Sequence, residues 1–394
     1  MSARYRWVVL GLGVLAQAAF AALLTGFPAI GPAIRDEFGL SLSGFGALLG
    51  AITAGATLTL VPWGLLTDRI GERTSISIGL TGAAAALAVS AVGGSALLAG
   101  MLLVAGALGA VANVASGRVV MGWFDFAERG MAFGLRQAAV PLGGAVAAFS
   151  LPALVAATDT RAGLVALGIG CLVAAAACGV WLREPPRSGL AARGPGPLRD
   201  RRVYRLAGAS GFLVASQAAV VGFVVLFLHE ERGMAEVAAG AVLAAIQVVG
   251  VGLRIAAGRW SDRLARRVLP LRWAAATISV TWLVTPALLD LPLVVVVPVV
   301  VAAGAITFGW NGLSFNAAAE LAAEGRSGTA IAVQQTALFA AASITPPLFG
   351  WLVSATSWRV GFWALAVGPA LCWLLLRPLA RSEEDGAAMG TSPT

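Results

Sequence analysis

Gly64-Leu65-Leu66-Thr67-Asp68-Arg69-Ile70-Gly71-Glu72-Arg73 is a dense charged turn tied between two long apolar runs. A second version follows 194 positions later: Gly258-Arg259-Trp260-Ser261-Asp262-Arg263, with Arg266 and Arg267 just beyond. One such turn is what any solvated loop offers. Two, each at the end of the second apolar run of its half of the chain, argue for a duplicated membrane protein.

The rest of the chain agrees with that reading. It is 59% hydrophobic and only 12% charged over 394 residues, where soluble domains carry roughly 25% charged residues. Apolar runs of about 18 to 25 residues recur, each long enough to cross a bilayer as a helix. They read as twelve spans, at about 7–30, 44–66, 75–92, 96–120, 131–156, 162–182, 204–228, 237–258, 272–289, 292–316, 327–354 and 359–376. Residues 183–203 interrupt the pattern with Pro, Gly and Arg, the composition of a linker. The expected organisation is a six-helix bundle over 1–182, the linker 183–203, a second bundle over 204–376, and a polar tail over 377–394 that reads as disordered.

Charge placement sets the orientation. The net charge is +8, and all 27 basic residues are Arg. With an inside N-terminus, 20 of them fall on one face, while Arg35, Arg161, Arg232 and Arg359 fall on the other and Arg118, Arg136 and Arg254 lie within spans. That asymmetry is the positive-inside bias, and it predicts both termini in the cytoplasm. The basicity is therefore topology, and no nucleic-acid partner is implied. Cys171, Cys178 and Cys372 all sit in apolar runs and read as core residues, with no disulfide or metal spacing. Arg4 and Arg6 precede an apolar run too long for a signal peptide, so it reads as an uncleaved first span. No cofactor is implied.

The turns carry a family resemblance. G-x-x-x-D-R-x-G-x-R after the second span resembles the loop signature of the major facilitator superfamily of secondary transporters. Gly64, Asp68, Arg69, Gly71 and Arg73 match it. Gly258, Asp262, Arg263 and Arg267 match it in the second half, with Ala265 in place of the later glycine. Gly64 and Gly258 are expected to let helices approach closely. Further echoes recur at near-constant offset: Gln17 and Gln217, Gly106 and Gly304, Asn113 and Asn311, Gly130 and Gly328, Gln137 and Gln335. The resemblance implies two parallel six-helix repeats, with spans 1, 4, 7 and 10 lining a central cavity. A small-molecule substrate is then the expected partner, with a coupling proton or counter-ion as a further candidate. The protein is expected to work as a monomer in a bacterial plasma membrane, surrounded by lipid.

A polar side chain at membrane depth is costly, so it faces a cavity or a partner helix. The polar residues within spans are few. Gln17, Asn113, Gln217 and Asn311, at duplicated central positions, are the leading cavity candidates. Gln137 and Gln335 follow; Asn316, Gln247 and Gln334 serve equally well as interhelical links. Three arginines are sharper signals. Arg118 sits near a span end, where it can snorkel. Arg136 and Arg254 lie deeper, with no Asp or Glu at mid-depth in any span, and guanidinium matches a carboxylate or oxyanion bidentately. Arg254, in span 8, also resembles the anion-binding arginine of carboxylate carriers in that superfamily. A small organic or inorganic anion is therefore the favoured substrate, with Arg254 and Arg136 as its cationic groups. The rival is an efflux pump for apolar drugs, with Arg254 turned away. A membrane-embedded enzyme is a distant third, since the single His229 and the lack of mid-depth carboxylates leave no acid–base or metal set.

The resemblance also predicts a gate at the Arg-rich face. Arg73 is expected to pair with Asp125, and Arg267 with Glu320 or Glu324. Asp68 and Asp262 are expected to meet helix ends of the opposite half when that face closes. Static topology anchors are the alternative. Pro346-Pro347 is the expected bend in span 11.

Overall fold

The computed structural model describes residues 5–124, 126–184, 200–264, 266–321 and 327–388. Every regular element among them is helical. That is the physical requirement for a chain in lipid, where each backbone N–H and C=O must be satisfied within its own segment. Among the described residues, eleven helices are long and apolar enough to cross a membrane. Spans 1 and 2 are Tyr5–Phe38 and Leu42–Ile70. Span 3 is the less apolar helix Glu72–Ser90, which packs against spans 4 and 6. Span 4 runs over Ser95–Gly109 and Val111–Trp123, span 5 over Phe126–Ala157 and span 6 over Thr160–Trp181. The second half repeats the plan with Arg201–Glu231, Glu236–Leu264, Val268–Leu288 and Leu293–Leu321, then Ser327–Ala355 and Trp358–Leu375. The helices are apolar nearly all round, and side chains such as Val146 and Val294 stand 69% and 80% exposed, as a lipid-facing belt demands.

Local chemistry sets the helix ends. Ser41, Asp159 and Asp200 accept hydrogen bonds from Gly44, Ala162 and Arg202 backbone N–H groups at 3.0, 2.8 and 2.8 Å, each capping a new span. Hydrogen bonds from Arg202 hold the Asp200 carboxyl below the ordinary carboxylate range. Gly71 closes span 2 with φ +84°, a left-handed turn that other residues adopt only under strain. The signature glycine is thereby explained by backbone geometry.

The spans meet through small residues, which let backbones approach in the absence of a hydrophobic drive between helices. A Cβ on Gly106 would collide with the Ile52 carbonyl oxygen, joining span 4 to span 2. Its repeat mate Gly304 plays the same part, where a Cβ would lie 2.9 Å from Ile246 in span 8.

The two halves meet at the face away from the arginine-rich turns. Gly46 and Gly50 of span 2 lie against the Pro346 and Ser343 backbone of span 11, and Gly350 lies against Leu42. Gly240 of span 8 meets the Ala148 carbonyl and Pro152 of span 5. Arg35 pairs with Glu230 across this junction. Beneath that pair Phe45 stacks on Phe27 and meets Phe223 edge-on, with ring centroids 6.1 and 6.2 Å apart. Gln247 Nε2 donates to the Thr25 carbonyl at 3.2 Å. At the arginine-rich face, bonds among the described residues form within one half: Arg6 with Glu128, Arg73 with the Gly179 carbonyl, Arg267 with Asp262 and Glu320, Arg272 with the Trp373 carbonyl. The molecule is therefore sealed at the far face and parted at the arginine-rich face.

Two expectations change. Gly64 and Gly258 do not mediate close approach in this state: a Cβ on Gly64 would meet only Val114 at 3.9 Å, and one on Gly258 nothing within 4 Å. The reason is that their face is the parted one. Span 11 runs without interruption through Pro346 and Pro347. Irregular turns fall at Ala22–Ile30 in span 1, at Ala110 in span 4, at Phe227–Glu231 in span 7, at Thr285–Leu288 in span 9 and just before Asn311 in span 10. The tail read as disordered from residue 377 continues as a helix, Arg377–Ala388. Its Glu383 accepts from the N–H groups of Arg267, Val268 and Leu269 at 2.6, 3.2 and 3.0 Å, a tertiary anchor that polar composition does not reveal. Most of the linker, 185–199, and residues 389–394 lie outside the described residues, as do Asp125 and Glu324 of the expected gate.

Candidate substrate cavity

The interrupted spans place the polar groups. Spans 4 and 10 break their helical runs just before Asn113 and Asn311, which puts these two side chains opposite Gln17 and Gln217 of spans 1 and 7. Gln17 Nε2 donates to Asn113 Oδ1 at 2.5 Å, and Asn311 Nδ2 donates to Gln217 Oε1 at 2.9 Å. The duplicated amides are thus paired within each half, one pair per repeat.

Between the halves lies a cavity of about 1030 Å³, its open mouth included. Gln17, Asn113, Gln137, Gln217, Arg254, Asn311 and Gln335 all line it, so seven of the eight residues expected at the substrate site converge there. Among the described residues, Asn113 Nδ2 is buried without a hydrogen-bond partner. A buried unpaired donor costs about 1–3 kcal/mol, so this amide is poised for an acceptor. Arg254 donates through Nη1 to the Gln137 carbonyl at 3.0 Å, reaching from span 8 to span 5, and through Nε to the Phe308 carbonyl at 3.3 Å. No ion pair engages it among the described residues. Its cation is held in place by carbonyl dipoles.

Arg136 departs from expectation. It is 4% exposed and is turned into the first half, away from the cavity. Its Nε donates to Ser116 Oγ at 2.8 Å, Nη2 to the Asn113 carbonyl at 2.5 Å and to Gln17 Oε1 at 3.3 Å, and Nη1 to Gln137 Oε1 at 3.2 Å. The reason is competition: four buried acceptors lie within reach behind the cavity wall, and they outbid the open space in front. Arg136 therefore braces the side chains that do line the cavity. Gln334, one repeat later, donates likewise to Ser314 Oγ, which meets Ser210 Oγ at 2.6 Å.

Sequence reasoning missed Ser116, Ser210 and Ser314 in these networks. The signal that finds two of them is the 198-residue offset, which relates Ser116 to Ser314 as it relates Asn113 to Asn311. Phe20 lines the cavity, together with Phe315 and Phe339, whereas Trp310 is fully buried and does not. At the arginine-rich face Arg267 joins Glu320 at 2.7 Å, as expected, and also Asp262 of its own loop at 2.5 Å. Arg73 lies on the Gly179 carbonyl at 2.6 Å, and its expected partner Asp125 is outside the described residues. Asp262 accepts from Arg267 within its own half in this parted state.

A helical membrane protein built of two like halves, with a polar-girdled cavity between them and one face sealed, is a transporter. Its family follows from the sequence: residues 10–346 match the model of the Major Facilitator Superfamily, and the chain belongs to that family. It is 32% identical over 389 residues to an uncharacterized MFS-type transporter of Mycobacterium tuberculosis strain H37Rv, covering 96% of this chain and 87% of that one. The counterpart from strain CDC 1551 matches at the same identity and coverage. Its fold is similar to that of a bacterial homolog of the human lysosomal transporter Spinster. Against the inward-facing and occupied form the TM-score is 0.81, at 14% identity over 97% of this chain and 98% of that one. Against the inward-facing and unoccupied form the TM-score is 0.78, at 15% identity over 96% and 98%. The family is one of transporters and not of enzymes, and the protein is an integral multi-pass membrane protein.

Proposed function

We propose that this protein carries a small organic or inorganic anion across a bacterial plasma membrane by alternating access, with Arg254 as the anion-binding group. The observation that carries the reading is Arg254 itself, a cation in the cavity wall that donates to the Phe308 and Gln137 backbone carbonyls. A guanidinium so held is pre-set for a carboxylate or similar oxyanion, and bonds between charged partners are about twice as strong as neutral ones. Asn113 Nδ2 supplies a second donor from the opposite half, so the substrate bridges the two repeats. The arginine-rich face is read as cytoplasmic from the positive-inside bias. On that reading the conformation described is open to the cytoplasm, ready to load or release there. Alternation then requires the far-face contacts to part and the signature turns to approach, with Asp68 and Asp262 meeting helix ends of the opposite half.

The test is transport by purified protein in proteoliposomes, with and without a pH gradient, of a panel of organic anions, nitrate and a cationic dye. Wild type is expected to accumulate an anion, and Arg254→Gln to lose that transport by at least tenfold while remaining folded and inserted. The apolar walls, with Phe20, Phe315 and Phe339 among them, favour a second reading, efflux of apolar compounds. If only the dye moves, and Arg254→Gln moves it at the wild-type rate, the second reading replaces the first.

A further inference from the structure

The cavity is layered along the membrane normal. Going from the arginine-rich mouth toward the sealed face, spans 1, 7 and 11 each turn apolar beyond a lining amide, while Val214 of span 7 and Phe315 of span 10 lie on the mouth side of the amides. Span 1 gives Gln17, then Phe20, Leu24 and Pro28; span 7 gives Gln217, then Val221 and Gly222; span 11 gives Gln335, then Leu338, Ala342 and Pro346. Arg254, Asn113, Gln137 and Asn311 all lie at the amide level. Above it the only lining hydroxyls among the described residues are Thr25 and Thr53, and both are turned back on their own helices. Thr25 donates to the Ala21 carbonyl at 3.0 Å, and Thr53 to the Leu49 and Gly50 carbonyls at 3.2 and 3.1 Å. The result is a band of hydrogen-bonding groups on the mouth side of the cavity, flanked there by Val214 and Phe315, and a blind apolar chamber behind it. The chamber ends where Pro346 and Gly222 meet Gly46 and Leu49 beneath the far-face seal. From Gln17 to Pro28 or from Gln335 to Pro346 the helical rise is about 16 Å, so the chamber is deep enough for an extended hydrocarbon segment.

Neither a small hydrophilic ion nor an apolar compound fits both layers. The ion would leave the chamber lined by apolar carbon with nothing to bury. The apolar compound would strip water from Arg254 and Asn113 and offer them no acceptor. We propose that the substrate is an amphipathic monoanion, bound with its charged head on Arg254 at the mouth and its hydrocarbon body in the chamber toward the far face. This rests on the reading of Arg254 as the anion-binding group and adds to it the shape and direction of the ligand.

The experiment is a chain-length series of linear alkanesulfonates, from methanesulfonate to decanesulfonate, titrated calorimetrically onto the full chain in lipid nanodiscs with empty discs subtracted. A sulfonate keeps its charge at neutral pH, so the head is constant through the series. Affinity is expected to rise about fourfold per added methylene until the chamber is full, and then to level off. Ala342→Leu, which places bulk in the chamber, is expected to shorten the chain at which affinity levels off. Should that variant fail to fold, Val221→Phe in span 7 narrows the chamber from the other side. Arg254→Gln is expected to weaken every member of the series by tenfold or more. If binding needs Arg254 but is flat across chain length, the amphipathic proposal falls and the anion reading stands. If affinity climbs with chain length but Arg254→Gln leaves it unchanged, the anion reading falls, and this proposal with it.

Discussion

Arg136 and Gln334 occupy the same place in the two repeats, and each donates to the serine one helix away, Ser116 or Ser314. The protein thus carries its own precedent for glutamine at this position. Arg136→Gln is therefore expected to fold and insert. It would still lose the guanidinium bonds to Gln17, Gln137 and the Asn113 carbonyl that hold the cavity wall in register. Hydrogen bonds to a charged group contribute about 1.5–3 kcal/mol, and each 1.4 kcal/mol is tenfold in affinity. The half-saturation concentration for transport is expected to rise on the order of tenfold, with maximal rate less affected. An unchanged KM in a folded variant would show that the brace does not set the cavity geometry. Arg136 was legible in the sequence as a cation at depth. Its direction was not, because a cavity and a set of buried acceptors present the same composition to a one-dimensional reading.

At the scale of elements, each repeat ends by clasping its own signature turn. Glu184, just after span 6, accepts from the N–H groups of Glu72 and Arg73 at 3.2 and 3.0 Å, where span 3 begins. Glu383, after span 12, does the same for span 9, 199 residues on. A carboxylate at a helix N-terminus satisfies orphan N–H groups and complements the helix dipole. Replacing it by Ala is expected to cost about 1 kcal/mol, by analogy with an N-cap. Glu383→Ala is expected to expose Arg263, Arg266 and Arg267 to trypsin, and Glu184→Ala to expose Arg69 and Arg73. Timed proteolysis of reconstituted protein reads this directly, and cleavage at the wild-type rate in both variants would rule out the clasp. Neither glutamate was singled out in the sequence, since each is one charge among many in a polar stretch and its partner turn lies more than a hundred residues away.

At the scale of the whole molecule, glycines sort by face. Gly46 is pressed against the Pro346 backbone, whereas Gly258 has nothing within 4 Å of a built Cβ. If the signature turns close on one another in the alternate state, then Gly258→Leu fits the state described here and obstructs the other. It is expected to hold the arginine-rich face apart and to cut turnover by tenfold or more. Gly46→Leu is expected to do the reverse, forcing span 2 from span 11 and opening the far face. Spin-label distances across each face would resolve the two, and wild-type turnover by Gly258→Leu would overturn the account of closure. The Arg35–Glu230 pair adds little to this balance, because partly exposed ion pairs contribute about 0–1 kcal/mol. The glycine contacts and the aromatic packing of Phe27, Phe45 and Phe223 hold the seal.

The sequence by itself determined the class of the protein, its duplication and the depth of its polar residues. Hydropathy over a bilayer's thickness leaves helices as the available solution, and a near-constant offset relates one half to the other. It also named seven residues that line the cavity, because a polar side chain inside a span must find a partner and the duplicated ones sit at mid-depth. Only the tertiary structure decided which way Arg136 points, which face is sealed and where the cavity turns from polar to apolar. Those are properties of how helices rotate and tilt against each other. Rotation is set by many weak contacts between small residues distant in sequence, and Gly46 against Pro346 is one that no local pattern around either residue announces.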